Sequence, residues 1–423
     1  MEIEQRVPPQ VIGLLNLANL NNDNYGAFMQ AWALKQALIK VAAAPDLLAP
    51  STLNPVTSNN SIAIGLVTYS ALTPAQIARQ RSLSLMAQHP TGRLKEDRHI
   101  AFQVFKHELS RLKRFAAFMP QLKFDQPIAS DLSLERLKLV IGSDWVWYFD
   151  QYNKINPIFL ADLPQFQEVR RYAYAASFGT TSPEHPAYQS YAPYLHSQWA
   201  KFRGISLREP TWLPEFERLA LNLPLGPVTH VLDPALLLDR HYYQDMVARP
   251  LCSEPYILLY TLPFPHQKKD VDTLLDVLTS YVEQSGITKV IDISSCHILS
   301  HPDCVARIKA LGIDYSYHYD TGPDDFVNWV AHAQLVLTPS FHGMVYSLLF
   351  GTPFSYFALR GSDPRVITLE QVFEIAPLKM IPERSFDLKT FNETLTDCKA
   401  KFAERIGGLR QLSYQVLRSI IQD

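Results

Sequence analysis

The stretch QLVLTPSFHGMVYSLLFGTPFSYFALR, Gln334 to Arg360, decides the fold class. It reads as a buried strand (Leu335–Thr338), a tight turn carrying Ser340 and His342, a short apolar helix, and a second buried strand (Phe354–Leu359). An apolar run that arrives at one polar turn and leaves as a helix is how open α/β sheets present ligand groups at the carboxyl ends of their strands.

The same pattern recurs on either side. Val11–Leu17 reads as a strand that runs into the polar turn Asn19–Gly26. AFMQAWALKQAL then repeats apolar residues at helical spacing, with Asn22, Asp23 and Asn24 as candidate N-caps. Leu137–Ile141 enters GSDWVW, Gly142–Trp147, as a third strand-to-turn junction. Ile62–Tyr69, Arg171–Gly179 and Phe202–Glu209 read as further strands, and Asp233-Pro234 as a strand end followed by proline at a helical first turn. Beyond about Pro250 the alternation is regular: strand Tyr256–Leu262, helix Val271–Gln284, strand Val290–Ser294, helix Val305–Leu311, helix Asp324–Ala333, then the opening stretch. Strands alternating with helices imply parallel, doubly wound sheets. The expected architecture is therefore α/β, with two Rossmann-like domains facing across a cleft and mostly parallel sheets. Residues 1–245 form the first domain, with a helical insertion at about 74–122. Residues 246–387 form the second, and 388–423 a helical tail that packs back on the first.

Composition narrows the function classes. The chain has 423 residues, 47% of them hydrophobic and 19% charged, which suits a soluble protein of two ordinary domains. A net charge of −2 argues against a nucleic-acid partner. MEIEQRVPPQ is no secretory signal, and the longest apolar runs are broken by Asp144 or by Ser340 and His342, so no transmembrane span is read. Four cysteines do not make a disulfide framework, and a reducing cytoplasm is the expected compartment. Contact with a membrane surface stays compatible with these numbers.

Walker, G-x-G-x-x-G, G-x-S-x-G and H-E-x-x-H motifs are all absent. His342 lies in S-F-H-G at a helix entrance. There the backbone N–H groups around Phe341 and Gly343 suit an anion such as phosphate, with Ser340 as a further donor. A bound dianion would raise the imidazole pKa toward that of a general acid; the alternative is a capping turn with a hydrogen-bonded histidine. Arg208-Glu209 at a strand end is either a bidentate ligand clamp or a strand-end ion pair. Arg360 and Arg365 either line the same cleft or are solvated. Asp144 either binds a sugar hydroxyl, acts as a base, or caps a helix. Cys296, His297, His301 and Cys304 are zinc-compatible residue types, but adjacent Cys-His converges poorly on one tetrahedral centre, so no metal is expected.

Six blocks in order resemble the polysaccharide pyruvyl transferase family. GLLNLANLNNDNYGAFMQAWALKQAL resembles its N-terminal strand and N-N-Y-G-A-x-x-Q-A-x-A-L signature, with an insertion that gives Asn22-Asp23-Asn24-Tyr25-Gly26. VIGSDWVW resembles its G-S-D-Q-V-W element with Trp145 in place of glutamine, and YAYAASFG, SLRE, VLDPALLL and TPSFHGMVYSLLFGTPF follow. The resemblance implies a GT-B-like fold and transfer of pyruvate from phosphoenolpyruvate to a saccharide as a cyclic ketal, in cell-surface glycan biosynthesis. The saccharide would be lipid-linked or nucleotide-linked, and no cofactor is required. The expected place is the cytoplasm, with the inner face of the membrane left open. By the same resemblance His342 is the general acid and Arg208 the phosphoenolpyruvate anchor. Ser340, Phe341, Gly343, Arg360 and Arg365 complete the donor site; Asn22, Asn24, Tyr25, Gly26 and Ser143 bind the acceptor, with Asp144 catalytic. Ser340 stands where characterised members tend to carry arginine, so Arg208, Arg360 or Arg365 must supply the cation. The other readings are a glycosyltransferase using a nucleotide-sugar donor and a non-catalytic glycan-binding protein.

Overall fold

The computed structural model describes residues 10–43, 62–67, 72–88, 94–124, 134–149, 154–261, 268–294, 306, 308–357, 363–381 and 386–423. Arg360 and the Cys296, His297, His301, Cys304 group lie outside them. The described residues divide into two compact units. The first holds those before 72, those of 119–238 and those of 408–423; the second holds 72–118 and 239–407.

The first unit is built on a six-stranded sheet. Its strands are β1 (Gln10–Leu15), β2 (Ile62–Leu66), β3 (Leu137–Ile141), β4 (Arg170–Ala176), β5 (Phe202–Leu207) and β6 (Val228–His230), in the order β2-β1-β3-β4-β5-β6. Every pairing is parallel. Helix α1 (Tyr25–Ala43) makes the first crossover and is apolar nearly all round because it is buried nearly all round. α2 (Pro74–Gln88) and α3 (Leu94–Phe118) form a hairpin that belongs to the second unit, although it interrupts the sequence of the first. α4 (Pro186–Trp199) and α5 (Leu213–Ala220) follow β4 and β5.

Under the carboxyl ends of β3 and β4 lies an aromatic core. Phe178 stacks on Trp212 with centroids 3.6 Å apart, and Trp147 meets Phe178, Trp199 and Phe202 at 5.5–5.8 Å. The polar ends of these rings are satisfied, Trp147 Nε1 donating to Phe159 O and Trp212 Nε1 to Thr181 O, each at 3.0 Å. Trp147 N also donates to Ser177 O at 3.0 Å, so the core ties the turn after β3 to the turn after β4. Truncating such a ring to alanine costs about 3–5 kcal/mol.

The second unit carries β7 (Ile257–Leu259), β8 (Lys289–Asp292), β9 (Asp314–Tyr317), β10 (Leu335–Thr338) and β11 (Phe354–Tyr356), ordered β11-β10-β7-β8-β9 and all parallel. α6 (Lys268–Ser285), α7 (Pro323–His332), α8 (Phe341–Phe350) and α9 (Pro364–Phe373) connect or cover these strands. The fold is thus α/β with two parallel, Rossmann-like sheets. β6 and β9, both short edge strands, have no counterpart in the sequence reading, whereas Asp233-Pro234 stands just past β6 as expected, with Asp233 capping and Pro234 opening a short helical turn. α10 (Leu388–Gln422) closes the chain.

The last residues of α10 brace the first unit from two directions. Arg410 donates to Leu236 O and Leu238 O, and Tyr414 OH to Leu237 O, all at 2.7 Å; Ser413 Oγ accepts from Leu232 N at 3.0 Å. Those four contacts fix the loop that carries Asp233. At the amino ends of the strands, Lys138 Nζ donates to Ile420 O and Ile421 O at 2.9 and 2.8 Å, and Arg170 Nη1 to Asp423 O at 3.0 Å. A cation on the last carbonyls of a helix satisfies acceptors the helix itself leaves open.

Candidate functional site

In the first unit the carboxyl ends of β3, β4, β5 and β6 converge on one arginine. Arg208, the first residue after β5, is 2% exposed. Its Nε donates to Glu209 Oε1 at 2.8 Å, Nη1 to Asp233 Oδ2 at 2.9 Å, and Nη2 to Asp144 Oδ1 at 2.9 Å and Ser177 Oγ at 2.6 Å. Each strand end supplies one arm: Asp144 after β3, Ser177 after β4, Glu209 beside Arg208, Asp233 after β6. Burial works against the guanidinium charge, yet Glu209, Asp144 and Asp233 together outweigh it and hold the Arg208 pKa above its ordinary range.

A second tier completes the network. Gln30, one turn into α1, donates through Nε2 to Asp233 Oδ2 and to Ser143 Oγ at 3.2 Å, and its Oε1 accepts from Asp144 N at 3.2 Å. Glu209 accepts from Ser177 Oγ at 2.7 Å and from Phe178 N at 3.1 Å; Asp233 caps its own loop by accepting from Ala235 N at 3.0 Å. One cation and three carboxylates are thus sequestered together. Such a cluster is stable only if the hydrogen bonds around it are satisfied.

The expected acceptor residues therefore divide. Ser143 and Asp144 join this network. Asn24 instead N-caps α1, its Oδ1 accepting from Gly26 N at 2.8 Å and Ala27 N at 3.4 Å, and Asn22 Nδ2 donates to Leu17 O at 3.2 Å within the turn. Tyr25 and Gly26 are buried in the first turn of α1. Gln30 and Ser177 are not among the expected site residues, and Asp233 reads in the sequence as a strand end rather than a site residue. Gln30 and Asp233 stand 203 positions apart, and only the parallel topology brings them together. The expectation that Arg208 anchors phosphoenolpyruvate meets a guanidinium whose three nitrogens already serve protein carboxylates.

The second unit holds the other half of the expected residues. β10, flanked by β7 and β11, delivers Ser340 to the entrance of α8. Ser340 is the N-cap: its Oγ accepts from Gly343 N at 3.4 Å while its own N donates to Thr338 Oγ1 at 2.9 Å. Thr338 in turn donates to Tyr260 O at 2.6 Å, so the turn is fastened to β7. Gly343 is required by close approach, since a Cβ there would meet the Thr338 side chain at 2.7–3.1 Å. His342 is buried in the first turn of α8, its ring perpendicular to Phe341 at 5.1 Å. Arg365, at the start of α9, lies with its guanidinium 6.0 Å from the Phe341 ring centre. It is braced by Asp363, which accepts from Nε at 3.0 Å and from Nη2 at 2.7 Å. The structure thus brings Ser340, Phe341, His342, Gly343 and Arg365 into one neighbourhood. No group of three or more potential metal ligands occurs among the described residues.

The family model described as polysaccharide pyruvyl transferase matches residues 24–360. No curated protein matches the sequence. Among solved structures the chain is similar to a UDP-N-acetylglucosamine 2-epimerase from Rickettsia bellii, at 10% identity over 98% of this chain and 96% of that one, with a TM-score of 0.43. It is also similar to the trehalose-6-phosphate phosphatase N-terminal domain of Candida albicans, at 9% identity over 100% and 98% of the two chains and a TM-score of 0.45. A glycosyltransferase from Rickettsia africae is similar at 9% identity, 98% and 99% coverage and a TM-score of 0.43.

Proposed function

Because the chain belongs to the polysaccharide pyruvyl transferase family, we propose that it transfers pyruvate from phosphoenolpyruvate to a saccharide diol, forming a cyclic ketal. The match over residues 24–360 carries this reading, because it takes in both the Arg208 network and the S-F-H-G turn.

The reaction must protonate the enol carbon of phosphoenolpyruvate and stabilise the oxocarbenium-like centre that results. A sugar hydroxyl then adds to the neighbouring carbon that carries the phosphate oxygen, phosphate leaves from that same carbon, and a second hydroxyl adds to it to close the ring. Of the two hydroxyl protons, one balances the proton that became part of the new methyl group and the other leaves with phosphate. His342 is the proposed acid. Its place in the first turn of α8 lets the N-terminal backbone dipoles and a bound phosphate act on the same ring. The phosphate would take the α8 entrance, with Arg365 as the nearby cation. Asp144 is the proposed acceptor-side carboxylate. Arg208 is a positioning residue that holds Asp144, and through it the turn after β3, in one geometry.

Phosphoenolpyruvate as donor implies a cytoplasmic reaction, and a lipid-linked or nucleotide-linked saccharide is the proposed acceptor class. Thermal denaturation with and without phosphoenolpyruvate tests the donor assignment. Stabilisation that is lost in Arg365→Ala and kept in His342→Ala supports it. Stabilisation by a uridine nucleotide, with none by phosphoenolpyruvate, would replace it with nucleotide-sugar chemistry.

A further inference from the structure

The helical hairpin of the second unit differs in charge from the rest of the chain. Residues 72–118 carry nine Lys and Arg against three Asp and Glu, a net of +6 in a chain of net −2, so the remainder carries −8. The distribution within the hairpin is sharper still. Along α3 the exposed positions Phe102, Lys106, Ser110, Lys113 and Ala117 recur every three to four residues and so form one stripe. Along α2, Arg79 and Leu83 are exposed at the same spacing.

No carboxylate lies among the exposed described side chains of the hairpin. Glu108, the one carboxylate among its described side chains, is turned inward, accepting from Arg81 at 2.7 Å and from Tyr319. That Arg81–Glu108 pair bridges α2 to α3. Phe102 is 55% and Leu83 54% exposed, and Lys106 Nζ sits 5.1 Å from the centre of the Phe102 ring. Two large apolar side chains left in water amid exposed lysine and arginine, with no carboxylate among the exposed described side chains, match the requirements of an interfacial membrane contact. A polyanion would use the basic residues but would gain nothing from Phe102 and Leu83.

We propose that the α2–α3 hairpin docks this protein on an anionic lipid surface, Phe102 and Leu83 entering the headgroup boundary while Arg79, Lys106 and Lys113 pair with lipid phosphates. Such a contact is peripheral, since no helix of the described residues is long and apolar enough to cross a membrane. It is independent of the donor chemistry and needs no substrate to be measured. The experiment is co-sedimentation of the full chain with phosphatidylglycerol–phosphatidylcholine vesicles and with pure phosphatidylcholine vesicles.

Wild type is expected to pellet with the anionic vesicles, less so as salt rises, and to stay in solution with the neutral ones. Each basic residue near the surface is worth about five-fold in affinity, so Lys106→Glu/Lys113→Glu should weaken binding by about 25-fold or more. Leu83→Ser/Phe102→Ser keeps the charge and should weaken it by about ten-fold or more. All four positions are solvent-exposed, and circular dichroism checks that the variants remain folded. Failure of wild type to bind anionic vesicles at low salt overturns the proposal. So does binding that Leu83→Ser/Phe102→Ser leaves unchanged, or equal capture by a heparin column that this double variant leaves unchanged; each would make the hairpin a site for polyanions.

Discussion

Replacing Arg208 with methionine tests whether this residue organises the first unit or serves as a ligand anchor. The side chain is 2% exposed and compensates Asp144, Glu209 and Asp233 at 2.8–2.9 Å. Methionine fills similar volume, so the change removes charge and hydrogen bonds while leaving little cavity. Removing one partner of a buried ion pair costs about 3–5 kcal/mol, because the survivor is left uncompensated. Three carboxylates share this guanidinium as their ion-pair partner, which puts Arg208→Met at the upper end, about 5 kcal/mol, and makes it comparable with the whole stability of a typical domain.

The sign with pH follows from the same geometry. Without the guanidinium, buried carboxylates have folded-state pKa values raised above their unfolded ones. The variant therefore gains stability as pH falls, when protonation neutralises them, and loses it as pH rises. The assay is thermal denaturation of wild type and Arg208→Met from pH 5 to 8, followed by far-ultraviolet circular dichroism. A variant as stable as wild type at every pH, lacking only a response to phosphoenolpyruvate, would refute this reasoning and return Arg208 to the donor site.

Two further perturbations probe other parts of the molecule. Burial, reinforced by Arg170 and opposed by Asp423, pushes the Lys138 ammonium from its ordinary 10.5 down to about 8. The unfolded chain then binds more protons between pH 8 and 10.5. Wild type should gain about 1–2 kcal/mol relative to Lys138→Met across that window, the bonds to the helix-end carbonyls offsetting part of the shift. Parallel urea titrations of the two proteins at several pH values measure that difference. Gly343→Ala would force a Cβ to within 2.7–3.1 Å of the Thr338 side chain, an overpacking cost of about 1–3 kcal/mol. It should lower the melting temperature and, by shifting the α8 entrance, weaken any phosphoenolpyruvate response; an unchanged melting temperature would show that the turn absorbs the methyl group.

Sequence reading succeeded where structure is local. The β10–turn–α8 unit, the β1–turn–α1 unit and the GSDW turn are each spelled out by an apolar run meeting polar residues within about a dozen positions. β6 and β9 were missed because an edge strand of three or four residues, half of them polar, gives no periodicity to detect. The Arg208 network was half legible. Arg208, Ser143 and Asp144 sit at visible strand ends, whereas Gln30 looks like one more polar position on a helix and Asp233 like a turn residue. At S-F-H-G the sequence leaves open an anion-facing hydroxyl or a capping turn, and Ser340 is the N-cap of α8. The allegiance of α2 and α3 to the second unit leaves no local trace at all. It depends on contacts such as Arg111 Nη1 to Tyr319 O at 3.0 Å, across more than 200 positions.

Whether His342 couples phosphoenolpyruvate to a saccharide is tested most directly by phosphate release from phosphoenolpyruvate, measured with a panel of galactose, glucose and N-acetylmannosamine acceptors. Acceptor-dependent release is expected from wild type and its loss in His342→Ala, with phosphoenolpyruvate binding retained. A folded wild type that releases no phosphate with any acceptor, or a His342→Ala variant that turns over as wild type does, would contradict that coupling.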